Sequence, residues 1–136
     1  MPSRREVGYV EARQLVATVA DRLEADGRGA AVAVVDAHGE LVAFLRTDAC
    51  PLPSIRIAIQ KAFTAARERT ESRALGDKAR AEDFPLTNFG EIGYVGWGGG
   101  VPIVVDGEVI GALGISGLPE ADDMELARWA VAGFGS

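Results

Sequence analysis

Residues 98–123 read GGGVPIVVDGEVIGALGISGLPEADD, and their pattern decides the last third of the fold. Two apolar runs, Ile103-Val104-Val105 and Val109-Ile110, flank the dipeptide Asp106-Gly107. A tight two-residue turn needs positive φ angles that Asp and Gly tolerate, so this dipeptide between apolar runs predicts a β-hairpin. The chain then leaves the sheet through Gly114, Ser116 and Gly117 and enters a proline-led helix. Glu120, Asp122 and Asp123 fall in its first turn, where the helix dipole favours negative charge. Asp123 also shares a helical face with Leu126, Ala127, Ala130, Val131 and Phe134.

Working outward, Ala31–Val35 and Leu41–Leu45 read as two buried strands joined by Asp36-Ala37-His38-Gly39. Before them, Ala12, Leu15, Val16, Val19, Ala20 and Leu23 lie on one face of a helix from about Val10 to Ala25, which Gly27 and Gly29 terminate. After a loop stiffened by Pro51 and Pro53, Ser54 is placed to cap a helix running to about Arg69. Ile55, Ile59, Ala62, Phe63 and Ala66 form its apolar face. Thr70–Asn88 is polar and interrupted by Gly76 and Pro85, which predicts short helical turns lying over the sheet. Glu91–Trp97 reads as a short strand before the triple glycine. Helices gathered on one face of an antiparallel sheet make an α+β two-layer domain, and no linker divides residues 1–136, so one domain is expected.

Composition narrows the function. The chain has 136 residues, 48% hydrophobic, with 20 acidic against 14 basic side chains. That length supports a real core, and the acidic balance argues against nucleic-acid binding, which needs clustered Lys and Arg. One cysteine cannot form a disulfide within the chain, and no apolar stretch approaches the ~18 residues of a membrane span. A cytoplasmic protein is the expectation, with no membrane partner. One histidine and one cysteine exclude the usual three- or four-ligand zinc sets within one chain, so no metal site is expected.

Three stretches carry a family resemblance. They are VAVVDAHGELVAFLRTDA at 32–49, SIRIAIQKAFTAA at 54–66, and GGGVPIVVDGEVIGALGISG at 98–117 with PEADD following. In this order, behind an amphipathic first helix, they resemble the GlcG/HbpS-like haem-binding family, which includes the C-terminal domain of PduO-type proteins. The resemblance implies a five-stranded antiparallel sheet with helices packed on it, profilin-like or PAS-like, and a homo-oligomer. It also implies haem or a corrinoid as ligand, or an accessory role in a catabolic operon. Haem is thus the one candidate cofactor, and the residues themselves fix none.

Sites have to be argued separately, because fold says little about chemistry. Lys61 is the one charge inside IAIQKAFTAA, and with Ile57 and Thr64 it forms an i, i+4, i+7 line that brings its ammonium towards the Thr64 hydroxyl. A lysine on a partly buried face can anchor a carboxylate or act as a base; the competing reading is a surface lysine whose stem covers apolar surface. Lys61 and Thr64 also match the KA-x-TA pattern of the resembled family. Trp97 with Gly98, Gly99 and Gly100 offers a stacking wall and backbone N–H donors for an anionic group, or alternatively a β-bulge. Either Asp48 or Glu91 could pair with Lys61 as an acid–base couple. On that view Lys61→Met abolishes turnover and leaves the melting temperature nearly unchanged.

Other residues read more plainly. Ser116 is no hydrolase nucleophile, since GISGL is not G-x-S-x-G and the only histidine, His38, sits in a predicted surface turn. His38 there is more simply solvated than an axial haem ligand, and Cys50 beside two prolines reads as structural. The leading reading is a small homo-oligomeric protein binding a compact ligand, haem or another tetrapyrrole among the candidates, between sheet and helices. The alternative is a cofactor-independent lyase or isomerase in which Lys61, with Asp48 or Glu91, moves a proton on a small carboxylated metabolite.

Overall fold

The structure is a computed structural model and describes residues 5–135. Its elements are α1 (Tyr9–Ala25), β1 (Ala31–Asp36), β2 (Leu41–Arg46), α2 (Pro53–Glu68), α3 (Ser72–Ala81), a 3₁₀ turn (Leu86–Phe89), β3 (Gly100–Val105), β4 (Glu108–Ser116) and α4 (Glu120–Ala132). The strands form one antiparallel sheet in the order β2-β1-β4-β3.

The hairpin forms as its turn chemistry requires. Val105 pairs with Glu108, and the residues between them, Asp106 and Gly107, take φ of 52° and 78°. Nothing lies within 4 Å of a Cβ placed on Gly107, so an alanine there meets only backbone strain. Gly107→Ala is expected to cost about 1 kcal/mol, read as a lower urea midpoint with unchanged m.

The sheet has four strands, where the resemblance implies five. Residues 91–97 form a turn at Ile92-Gly93 followed by irregular backbone in place of the expected strand. The Val95 N–H donates to Thr64 Oγ1 at 2.9 Å, and the Trp97 carbonyl accepts from Ser72 Oγ at 2.7 Å. Side chains of α2 and α3 thereby satisfy backbone groups that a strand would satisfy by pairing.

The two-layer expectation is corrected as well, because helices cover both faces of the sheet. Val32 and Val34 of β1 pack with Leu113 and Ile115 of β4 against Val19 of α1 and Leu126 of α4. Ala33 and Val35 turn the other way and join Ala112 to Ala62, Ala65 and Ala66 of α2. The first five positions of β1 read AVAVV, all apolar and buried, as a strand covered on both faces requires. Small residues line the α2 side. A Cβ on Gly114 would lie 2.2 Å from the Ala58 carbonyl oxygen, and one on Gly100 would lie 2.2 Å from that of Lys61. The helix therefore sits close enough to the strands for the side chains of its inner face to reach past their ends.

Two helix expectations also change. Leu52 is the N-cap of α2 and Pro53 opens the helix, so Ser54 lies inside the first turn and caps nothing. Helix α3 runs unbroken through Gly76, whose missing side chain accommodates the backbone of Gly96; a Cβ there would lie 2.1 Å from the Gly96 oxygen.

Candidate functional site

Lys61 lies in the middle of α2 on the face turned to the sheet, and only 2% of it is exposed. Its Nζ donates to the Ile115 carbonyl at the end of β4 (2.9 Å) and to Asp123 Oδ2 in the first turn of α4 (3.2 Å). The other oxygen of Asp123 accepts from the Leu118 N–H at 3.1 Å. Burial pushes the Lys61 ammonium below its ordinary pKa, with the Asp123 charge opposing. Burial likewise raises the Asp123 carboxyl, with Lys61 and backbone N–H groups opposing. Both shifts move the pair towards its neutral form, the direction that desolvation of two charges dictates.

This pairing departs from the acids considered from sequence. Asp48 is exposed in the turn after β2, and Glu91 turns back to accept from the Gly93 N–H at 3.1 Å. Neither forms an ion pair with Lys61, and the acid at the ammonium is Asp123. Thr64 is buried but does not meet the ammonium; its hydroxyl donates to the Gln60 carbonyl (2.8 Å) and holds Val95.

The triple glycine does border Lys61, as expected. A Cβ on Gly99 would lie 3.0 Å from Nζ, and its φ of 124° disfavours a side chain in any case. Its anion-cradle role is not supported, because the Gly98 amide donates to Glu120 Oε2 (2.7 Å) and the Gly100 amide to Ser72 Oγ (2.9 Å). What this stretch offers a ligand is the Trp97 ring, which is 58% exposed.

Trp97 stands between two pockets. The larger, about 600 Å³, lies between α3, the 3₁₀ turn and residues 94–97, with Phe84, Pro85, Leu86, Tyr94 and Val95 on its walls and Arg80 beside them. The smaller, about 270 Å³, opens over Lys61 and Asp123 and is completed by Ser54, Ile57, Ser116 and Glu120. Ser54 and Ser116 are 7% and 5% exposed. No hydrogen bond within the described residues uses either hydroxyl, and since no fully buried side-chain oxygen or nitrogen lacks a partner, both oxygens are accessible from this pocket.

Sequence reasoning gave Asp123 and Ser54 helix-start roles only and rejected Ser116 as a nucleophile, so none of the three was named for this site. One signal for Asp123 was legible: it shares a helical face with Leu126, Ala127 and Ala130, and an acid on a buried face requires a cation. The serines carried no such mark, because their pocket exists only where the starts of two helices meet the end of β4.

His38 sits in the β1–β2 turn with its side chain 70% exposed and Nδ1 3.5 Å from Glu6 Oε1. With Glu6 and Asp36 it forms a trio that could reach one metal ion. These carboxylates already serve the turn: Asp36 Oδ1 accepts from the His38 and Glu40 amides, and Glu6 Oε1 from the Ala37 amide. Burial raises the pKa of the Cys50 thiol, which does not favour a nucleophile. No helix among the described residues is long and apolar enough to cross a membrane.

A four-stranded sheet between helical layers, with an aromatic-walled cleft beside a polar pocket, defines a small single-sheet α+β domain. The family model described as "Haem degrading protein HbpS-like" matches residues 8–132, and the chain belongs to that family. It is 33% identical over 129 residues to the corrinoid adenosyltransferase PduO of Salmonella typhimurium strain LT2, a match covering 93% of this chain and 38% of that protein. Protein GlcG of Escherichia coli K12 is 33% identical over 111 residues, 77% of each chain. Among solved structures, the PduOC:heme complex superposes with a TM-score of 0.87 at 30% identity, covering 96% of both chains.

Proposed function

We propose that this protein binds haem or a related tetrapyrrole in the cleft between α3, the 3₁₀ turn and residues 94–97. The carrying observation is the cleft itself, about 600 Å³ with aromatic and aliphatic walls and Arg80 and Asp83 at its side. Such a lining suits a flat apolar macrocycle, and Arg80, which lies 2.6 Å from Asp77, would have to exchange that partner to meet an acidic substituent. The match to a family described as haem degrading, and the likeness to the PduOC:heme complex, support the same ligand. Trp97, Leu86 and Phe84 would hold the ring faces.

The fit is to the macrocycle more than to its metal. No His, Cys or Met lines the cleft. The Tyr94 hydroxyl donates to Glu68 at 2.6 Å, and burial with that carboxylate pushes its pKa up to about 12, away from a tyrosinate ligand. Haem titration is therefore expected to give a broad Soret change that Trp97→Ala weakens about tenfold, as for loss of ~1.4 kcal/mol, and that His38→Ala leaves alone. A sharp, saturable shift that vanishes in His38→Ala refutes this reading. Self-association belongs to the proposal: Phe89, Ile92 and Trp97 expose apolar surface along one segment. Light scattering is expected to return a multiple of the 14.3 kDa chain mass.

A second reading is favoured by the buried Lys61–Asp123 pair. The two groups are 3.2 Å apart beside a pocket, and both are displaced towards neutrality, as an acid–base couple in a lyase or isomerase would require.

A further inference from the structure

The pocket over Lys61 has features that its structural role does not explain. Ser54 and Ser116, largely buried as residues, keep their hydroxyls accessible from it, and neither hydroxyl bonds to a described residue, so both are available to what fills the space. The Lys61 ammonium has three hydrogens, and the chain takes two of them. The first turns of α2 and α4, carrying Ser54 and Glu120, both border the space. At about 270 Å³ it has the volume of roughly nine waters, or of a metabolite with a similar number of non-hydrogen atoms.

The charges around this space cancel in pairs. Lys61 from α2 faces Asp123, Arg28 from the α1–β1 connection lies 2.7 Å from Asp122, and Arg73 from α3 lies 3.3 Å from Glu120 and 2.9 Å from Asp77, which also meets Arg80, so that each acid is matched by a cation. Serine hydroxyls, a free ammonium hydrogen and two helix starts suit a carboxylate. A carboxylate arriving alone, however, would leave one uncompensated negative charge beside Asp123. A proton accompanying it would remove that charge, and the Lys61–Asp123 pair is the group placed to hold it.

We propose that this pocket is a second site, separate from the tetrapyrrole cleft, which binds a small monocarboxylate together with one proton. Ser54, Ser116 and Lys61 donate to the carboxylate, and the Lys61–Asp123 pair retains the added proton. The site shares its pocket with the acid–base reading but needs no turnover, so binding without reaction would sink that reading alone.

The test is calorimetric titration of the full chain with pyruvate, with lactate, and with acetone as the uncharged control. Each is run at one pH in phosphate and in Tris, whose different ionisation enthalpies report protons exchanged. The expected result is pyruvate or lactate binding with close to one proton taken up per ligand. The dissociation constant should then rise towards tenfold per unit of rising pH, and acetone should bind far more weakly. Asp123→Asn is expected to abolish the proton uptake and the pH dependence. Should that variant fail to fold, Ser54→Ala/Ser116→Ala, which removes no buried charge, is expected to weaken pyruvate at least tenfold while leaving haem binding intact. Carboxylate binding with no proton uptake, affinity indifferent to loss of both serines, or no heat from either acid at millimolar concentration would each overturn the proposal.

Discussion

Lys61→Met is expected to lower the stability of the fold by about 3–5 kcal/mol, the usual cost of stranding one member of a buried ion pair. The expectation from sequence was an unchanged melting temperature, on the view that a functional lysine contributes no packing. The structure reverses it, because Lys61 and Asp123 are each 2% exposed and removing the cation leaves the carboxyl buried beside β4. The stranded carboxyl should hold its proton to a higher pH than in the parent. A group whose folded pKa is raised contributes stability below its unfolded pKa and loses it as pH rises through the folded value. The deficit should therefore be smaller near pH 4 than at pH 7, which urea denaturation at both values checks. Lys61→Met/Asp123→Leu, with both charges gone, should recover most of the loss. If the single variant matches the parent at pH 7, the pair is not buried as described.

Gly114→Ala is expected to be the second large effect, destabilising by about 3 kcal/mol, at the upper end for overpacking. The added methyl would lie 2.2 Å from the Ala58 carbonyl oxygen and 2.7 Å from the Ala62 nitrogen. Both are backbone atoms of α2, so no rotamer change relieves the contact and the helix must move off the sheet. That displacement would also shift Lys61, so weaker pyruvate binding should accompany the lower melting temperature. An alanine variant with parental stability would show that α2 is not held this closely.

Local rules reached far into this chain. Asp106-Gly107 determined the β3–β4 hairpin, because positive φ at both positions is a property of those two residues and not of their surroundings. The apolar face from Ala12 to Leu23 determined α1, and the run of apolar residues in β1 already carried the sign of a strand covered on both sides. Where reading by segment failed, the deciding contact came from far along the chain. Residues 91–97 have the apolar character of a strand, yet Thr64 and Ser72 bind their backbone and keep them out of the sheet. Gly76 reads as a helix breaker until Gly96 is seen against it.

The site divides along the same line. Lys61 could be singled out by sequence alone, as a charge in an otherwise apolar and small run, with a surface lysine as the competing reading, and Trp97 beside glycines could be named as a wall. Which acid meets the lysine was not read: Asp123 shares a buried helix face, but nothing within its own segment ties that face to Lys61. Tertiary structure chose Asp123, 62 residues away, by packing α2 on a glycine- and alanine-lined sheet face closely enough for the ammonium to reach past β4 to the start of α4. Periodicity and turn chemistry are encoded within a few residues and survive in sequence. A buried charge pair and its pocket depend on how far apart the layers settle, which is set by the summed side-chain volumes between them.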